Sequence, residues 1–256
     1  MKSLLDGKTI LVAGAGGLLG RQLVCGILAQ GAKVIAADID VEKAKVSLAS
    51  LGVDINSPLL NLCTFDIANV ENVKKIFSEA LCIDGAVNCT YPRNKNYGAH
   101  FFDVTLDSFN ENVSLHLGSS FLFSQQCAIY FKTKRRPFSL VNISSIYGVV
   151  APDFSIYKDT PMTMPVEYAA IKSGLLHLSK YIAKYVGDSD FRINCVSPGG
   201  VLDNQPEQFL KKYREKTHGG GMLHVENVIG AVLFLLSDQS QYMVGQNFIV
   251  DDGFSL

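Results

Sequence analysis

The chain is 256 residues long, 48% hydrophobic and 18% charged, with a formal net charge of −1. That length and apolar content suffice for one large buried core, and so small a charge gives no bulk attraction to nucleic acid or an anionic membrane. No apolar run approaches the ~18 residues of a transmembrane helix, and Met1-Lys2-Ser3-Leu4-Leu5-Asp6-Gly7 is too short an apolar stretch for a secretory leader, so a cytoplasmic location is expected.

Lys8–Ala13 reads as a short buried strand. It runs into Gly14-Ala-Gly16-Gly17-Leu18-Leu19-Gly20 and then into Arg21–Gln30, which is apolar at helical spacing. Strand, glycine turn and helix in that order let backbone approach a pyrophosphate and aim a helix N-terminus at it. A second strand, 33–37, is closed by Asp38. An acid there accepts hydrogen bonds from a ribose diol and repels a 2′-phosphate, which predicts NAD rather than NADP. Asp40 and Glu42 are alternative acids, and capping of the next helix is the alternative role for Asp38.

Further strands are expected at 59–65, 84–88, 138–143, 190–196 and 246–250, and helices at 17–30, 41–51, 69–80, 105–133, 164–186, 204–216 and 225–236. This alternation predicts an α/β fold, a single doubly wound parallel sheet of Rossmann type with helices on both faces and the site beyond the carboxyl ends of the strands. There is no repeat or linker, so residues 1–256 are expected to form one domain, with the irregular stretches 146–165 and 198–224 overhanging the site. The loop Tyr91-Pro-Arg93-Asn-Lys95-Asn-Tyr97-Gly98 follows the fourth strand on that edge. Arg93 and Lys95 suit a phosphate or carboxylate, and Tyr97 with the amides suits a polyhydroxylated ring; a solvated turn is the alternative.

Tyr168-Ala-Ala-Ile-Lys172 places a phenol and an ammonium one helical turn apart on one face. A nearby lysine charge favours the phenolate, which would bring a tyrosine into range for proton transfer. Ser144-Ser145 closes the fifth strand and supplies a hydroxyl. The six cysteines, Cys25, Cys63, Cys82, Cys89, Cys127 and Cys195, have no metal-ligand spacing, so buried free thiols and no metal site are expected.

Taken together, the glycine turn 14–20, Asp38, Asp66-Ile67, Val87-Asn88, Asn142-Ile-Ser-Ser145, Tyr168 with Lys172, Asn194-Cys-Val-Ser-Pro198-Gly199 and Val250-Asp-Asp-Gly253 resemble the short-chain dehydrogenase/reductase family over essentially the whole chain. The resemblance implies that Ser145 orients a substrate oxygen, Tyr168 is the acid–base, and Lys172 lowers its pKa while holding the nicotinamide ribose. It implies cofactor contacts from Gly14, Gly16, Gly17, Leu18, Leu19, Gly20, Asp38, Asp66, Ile67, Asn88, Tyr168, Lys172, Pro198, Gly199 and Val201. The segment Gln208–His218, followed by Gly219-Gly-Gly221, looks like the family's lid, with its lysines on a solvated face.

Several positions depart from that pattern. Ala13 stands for the usual threonine and Leu18 for a glycine, and the Gly14-x-x-Gly17-x-x-Gly20 spacing looks like the sugar-nucleotide-modifying branch. Asn-Asn-Ala-Gly reads Asn88-Cys89-Thr90-Tyr91, which puts a ring near the cofactor ribose. His116 falls where the fourth catalytic residue, an asparagine, is expected, with Asn112 a helical turn early. His116 either holds a relay water to Lys172, or gates the proton by pH, or fills the asparagine's space and bonds a backbone carbonyl. Asp203 stands near the usual threonine that meets the carboxamide.

The glycine spacing, the Tyr-Pro-Arg-Asn-Lys loop, Ser114-Leu-His116-Leu and Gly199–Pro206 resemble the bacterial flagellin-modification protein A subgroup. That implies an NAD-dependent oxidoreductase acting on a sugar or sugar-phosphate hydroxyl or ketone, in the biosynthesis of an unusual flagellar glycan sugar. A reductase of a non-sugar carbonyl and a catalytically silent dinucleotide sensor are the alternatives. Helices 105–133 and 164–186 carry more apolar positions (Phe121, Leu122, Phe123; Leu175, Leu176, Leu178, Ile182) than one sheet face needs. With the resemblance, this predicts a homodimer or tetramer; cover by loop 146–165 is the alternative.

Overall fold

The computed structural model describes residues 3–80 and 82–256, so Met1 and Lys2 of the N-terminal stretch lie outside the described residues. Seven parallel strands form one sheet in the order β3-β2-β1-β4-β5-β6-β7. They are β1 (Thr9–Ala13), β2 (Lys33–Asp38), β3 (Leu60–Thr64), β4 (Gly85–Asn88), β5 (Phe138–Ile143), β6 (Phe191–Pro198) and β7 (Asn247–Val250). The helices are α1 (Leu18–Ala29), α2 (Val41–Ala49), α3 (Val70–Glu79), α4 (Leu106–Val113), α5 (Ser119–Lys134), α6 (Val166–Val186), α7 (Glu207–Arg214) and α8 (Glu226–Leu236). Every strand expected from periodicity, and every helix but the one at 105–133, is present within a few residues at each end.

The central strands are apolar on both faces because both faces are covered. In β1, Ile10 and Val12 point into a core shared with α1 and α8, including Leu23, Ile27, Val228 and Val232. Leu11 and Ala13 point into the opposite core, with Val73 of α3, Phe123 and Cys127 of α5, and Ile182 of α6. This period of two is the pleat itself. The second core is an aromatic chain in which Phe123 packs on Phe65 and Phe77, and Phe138 on Tyr130 and Phe191, at centroid separations of 5.6–6.2 Å. Buried Arg192 on β6 donates to the carbonyls of Leu235, Ser237 and Ser240 at 2.9–3.1 Å, satisfying acceptors at the end of α8.

The helix expected at 105–133 is not continuous. A π turn, Ser114–Gly118, separates α4 from α5. The widened turn turns His116 inward, to 2% exposure, and its carbonyl accepts the hydroxyls of Ser119 and Ser120 at 3.2 and 2.8 Å. Proline sets two other boundaries, Pro165 at the N-cap of α6 and Pro206 at that of α7, so the helices expected from 164 and 204 start later.

Strand order reverses between β1 and β4, so the loops after these strands diverge and leave a crevice at their carboxyl ends. Stretches 146–165 and 198–224 close over it with a small core of their own. Ile156, Tyr157, Phe209 and Tyr213 are buried there, against Met162, Met164, Met222 and Phe254. Ion pairs tie the two stretches together, Lys212 to Asp159 at 3.5 Å and Lys216 to Asp153 at 2.9 Å.

Candidate active site

The crevice holds a cleft of about 1280 Å³ running from Asp38 to Tyr213. One end is built from backbone. Gly14 has φ +83°, and a Cβ there would lie 3.1 Å from the backbone of Cys89 and Thr90. At Gly20 a Cβ would come within 1.9 Å of the Gly14 carbonyl oxygen, so only glycine lets α1 start this close beneath the turn. Gly17 caps α1 without a side-chain hydrogen bond, and the first turn carries no acid, which leaves the positive end of the helix dipole on the cleft beside Leu18 and Leu19.

Asp38 Oδ2 accepts the Gly16 amide at 2.8 Å, and Oδ1 accepts that of Asp40 at 3.0 Å. Capping of α2 falls to Asp40, which accepts from Lys43 N at 3.0 Å. Asp38 is therefore held at the rim by the glycine turn and is not a helix cap. Asp66 and Ile67 line the same end. So does Lys43, a cation five residues past Asp38 that the first turn of α2 carries back to the rim.

At the other end Ser145, at the tip of β5, meets Tyr168 and Lys172 of α6. Ser145 accepts from Tyr147 N at 3.2 Å, and its hydroxyl faces the Tyr168 phenol. Burial pushes the phenol up, and the neighbouring Ser145 hydroxyl works against that. The Lys172 Nζ donates to the Ile143 carbonyl at 2.8 Å, stands 3.4 Å from His116 Nε2, and is 5.5 Å from the Tyr168 ring centroid. Burial lowers the Lys172 ammonium to about 8.

His116 contacts Lys172 directly, with Nε2 3.4 Å from Nζ. Burial, then the Lys172 charge, pushes the imidazole down to about 2, so it stays neutral and does not gate a proton by pH. Nor does it bond a backbone carbonyl: its Nδ1 has no hydrogen-bond partner among the described residues. Asn112 serves elsewhere, accepting from Asn94 N at 2.9 Å and donating to buried Glu167 at 3.3 Å, which anchors loop 91–98 to α6.

Of the other expected contacts, Pro198, Gly199 and Val201 line the cleft, while Asn88 does not. The Asn88 side chain is spent on Ser120 Oγ at 3.2 Å and Thr90 Oγ1 at 2.8 Å, holding the end of β4 against α5. Arg93 lines the cleft, with its guanidinium 4.9 Å from the Tyr91 centroid. Lys95 and Tyr97 are outside the lining; Tyr97 stands behind Tyr91, the two phenol oxygens 2.6 Å apart. The cleft also takes Tyr147, Tyr157, Met162, Met164, Phe209, Tyr213 and Met222 from the overhanging stretches. Sequence spacing carries no signal for most of these, because they meet only once the two stretches pack. The six cysteines are unpaired, but only Cys127 and Cys195 are buried, and the others are half-buried.

This arrangement presents a backbone cradle suited to a pyrophosphate, an acid at its far rim, and a hydroxyl–phenol pair at its near end able to hold an oxygen and exchange its proton. The model of the enoyl-(acyl carrier protein) reductase family matches residues 14–255. The chain is 37% identical to the post-translational flagellin modification protein A of Campylobacter coli, over 99% of this chain and 100% of that one. It is 28% identical to D-xylose 1-dehydrogenase of Caulobacter vibrioides, covering 98% and 96%. A short-chain dehydrogenase of Leptospira borgpetersenii, solved with bound NAD+, superposes with a TM-score of 0.86 at 33% identity, covering 98% and 94%. The chain belongs to the short-chain dehydrogenase/reductase family and is an oxidoreductase of it.

Proposed function

We propose that the protein uses NAD to move a hydride to or from a carbon bearing a sugar or sugar-phosphate hydroxyl or ketone, in the making of an unusual glycan sugar. The observation that carries this is the single cleft joining Asp38 and the glycine cradle to Ser145, Tyr168 and Lys172. The close approach of α1 to the turn at Gly14 and Gly20 fits a pyrophosphate there, with Asp38 and Asp66 toward the adenosine and Pro198, Gly199 and Val201 toward the nicotinamide. When bound, NAD supplies the hydride acceptor. Ser145 holds the substrate oxygen, and Tyr168 takes or returns its proton. Lys172 places a positive charge beneath that end of the cleft.

Arg93 favours a substrate with a phosphate or carboxylate. It lines the cleft beside Tyr91, whose ring is 5.7 Å from that of Tyr168. The xylose-oxidising relative supports a sugar. A second reading, an apolar carbonyl or alcohol, is favoured by Met162, Met164, Met222 and Phe209 in the overhanging lining. Screening phosphorylated, nucleotide-linked and free sugars beside hydroxysteroids, with NAD+ and the absorbance of NADH as readout, separates the two. Turnover confined to the steroids would overturn the sugar reading.

We further infer that the protein works as a homodimer, or as a tetramer built from it. Phe123, Leu175 and Ile182 are buried within the subunit, but α5 leaves Phe121 and Ile129 at 46% and 48% exposure, and α6 leaves Tyr181 and Tyr185 at 61% and 74%. The two tyrosines stack at 5.9 Å. The overhanging stretch 146–165, meanwhile, packs over the cleft.

A further inference from the structure

Tyr91 and His116, two departures from the family pattern that lie far apart in the chain, touch each other and the same ammonium. Their rings meet edge-on at 5.2 Å, while Lys172 Nζ lies 3.4 Å from His116 Nε2 and 5.9 Å from the Tyr91 centroid. We propose that Tyr91 and His116 form one coupled positioning unit, which holds the Lys172 ammonium against the Ile143 carbonyl and sets its distance from Tyr168.

A buried ammonium requires partners in place of water. At 4% exposure, Lys172 has a carbonyl oxygen at 2.8 Å, an imidazole nitrogen, and the faces of Tyr91 and Tyr168 at 5.9 and 5.5 Å. His116 serves as a neutral acceptor, since burial keeps its imidazole uncharged. Tyr91 is the outer layer, 39% exposed over a histidine at 2%, and it keeps water from the imidazole and the ammonium alike. Tyr97 holds Tyr91 in turn through the 2.6 Å contact between phenol oxygens.

Each member needs the other. With Tyr91 in place, an asparagine at position 116 is too short to reach Nζ, and the ring keeps water out of the gap. With glycine at position 91, water reaches the ammonium and satisfies it whatever stands at 116. The departures therefore act as one change, and their effects on Lys172 are non-additive.

The proposal rests on the active-site reading for its consequence, but its test needs no turnover and so stands or falls apart from that reading. In protein carrying 13Cε-labelled lysine, the titration of Lys172 is followed by NMR, with its resonance identified by its loss in Lys172→Met. The groups facing Nζ leave the window near 8 clear. Cys89, Cys195, Tyr91 and Tyr168 are all raised by burial, the two thiols to about 12 and about 11, and His116 is lowered. His116→Asn should move the Lys172 midpoint by at least about half a pH unit in the parent, and by less than about 0.2 in Tyr91→Gly. Equal displacement in both backgrounds, or none in either, would overturn the proposal. Thermal melts confirm that each variant is folded; should His116→Asn fail to fold, His116→Leu, which keeps the bulk without an acceptor, takes its place with the same expectation.

Discussion

From Gly14 to Asp38 the cleft is lined by backbone and framed by β1, α1 and β2, which follow one another in the chain. Around Tyr168 the lining side chains arrive from separate stretches, at 91–93, 143–147, 157–168 and 198–222. The nucleotide end is fixed by where a Cβ does not fit, so its requirements are few and absolute. The substrate end is fixed by which side chains meet, as with Phe209 and Tyr213 against Tyr157 at a ring separation of 5.2 Å for the closest pair, so its requirements are many and exchangeable. A shared cradle beneath a replaceable lining is how one scaffold serves many substrates.

If the nucleotide end is intolerant for steric reasons, Gly20→Ala should be the most damaging small substitution in the cleft. Its Cβ meets a backbone oxygen that cannot rotate away. The expected loss is about 1–3 kcal/mol or more of stability, with cofactor binding abolished, as read by chemical denaturation and calorimetry. An unchanged denaturation midpoint and affinity would show that the turn is looser than this account holds.

Lys172→Met tests whether the substrate end is strained for function. In the folded protein the ammonium is lowered from 10.5 to about 8, so between those pH values the unfolded chain binds more protons than the fold does. The cost of burying the charge is full below about pH 8 and is relieved as pH rises toward 10.5. Lys172→Met, though inactive, should therefore melt no lower than the parent at pH 7, with a gain on the order of 3 kcal/mol at most that shrinks above pH 8. A variant less stable than the parent at neutral pH would contradict this.

Cofactor choice compares two charges on one rim. Asp38 repels a 2′-phosphate and Lys43 attracts one. NAD should be preferred to NADP by about one to two orders of magnitude, ~1.4–3 kcal/mol. Lys43→Ala should widen that preference and Asp38→Asn should narrow it, by titration calorimetry. Equal affinities in the parent would remove Asp38 from the role given to it. The smallest effect expected on the cleft comes from the surface of α5 and α6. Tyr181→Glu with Tyr185→Glu should convert dimer to monomer in sedimentation while leaving the monomer folded. A parent that sediments as a monomer at micromolar concentration would dispose of the association.

The same contrast governs what the sequence makes legible. The strands and helices, the glycine turn, Asp38, the Ser144-Ser145 strand end, and Tyr168 with Lys172 follow from periodicity and spacing, because each belongs to a local element. The π turn at 114–118 does not, since a single widened turn leaves no periodic signature in a helix that otherwise continues. Lys43 was hidden by the turn of α2, and the exclusion of Lys95 by the fold of its own loop. The state of Lys172 depends on Ile143 and His116, contacts no spacing rule contains.

The central claim, that one cleft binds the cofactor through backbone and does proton chemistry through Tyr168, is tested most directly by Tyr168→Phe. The account predicts a turnover loss of ~10²–10⁴-fold, with the NAD+ dissociation constant within about twofold of the parent's, because the ring stays and only the proton carrier goes. Near-normal turnover, or loss of NAD+ binding together with activity, would contradict it.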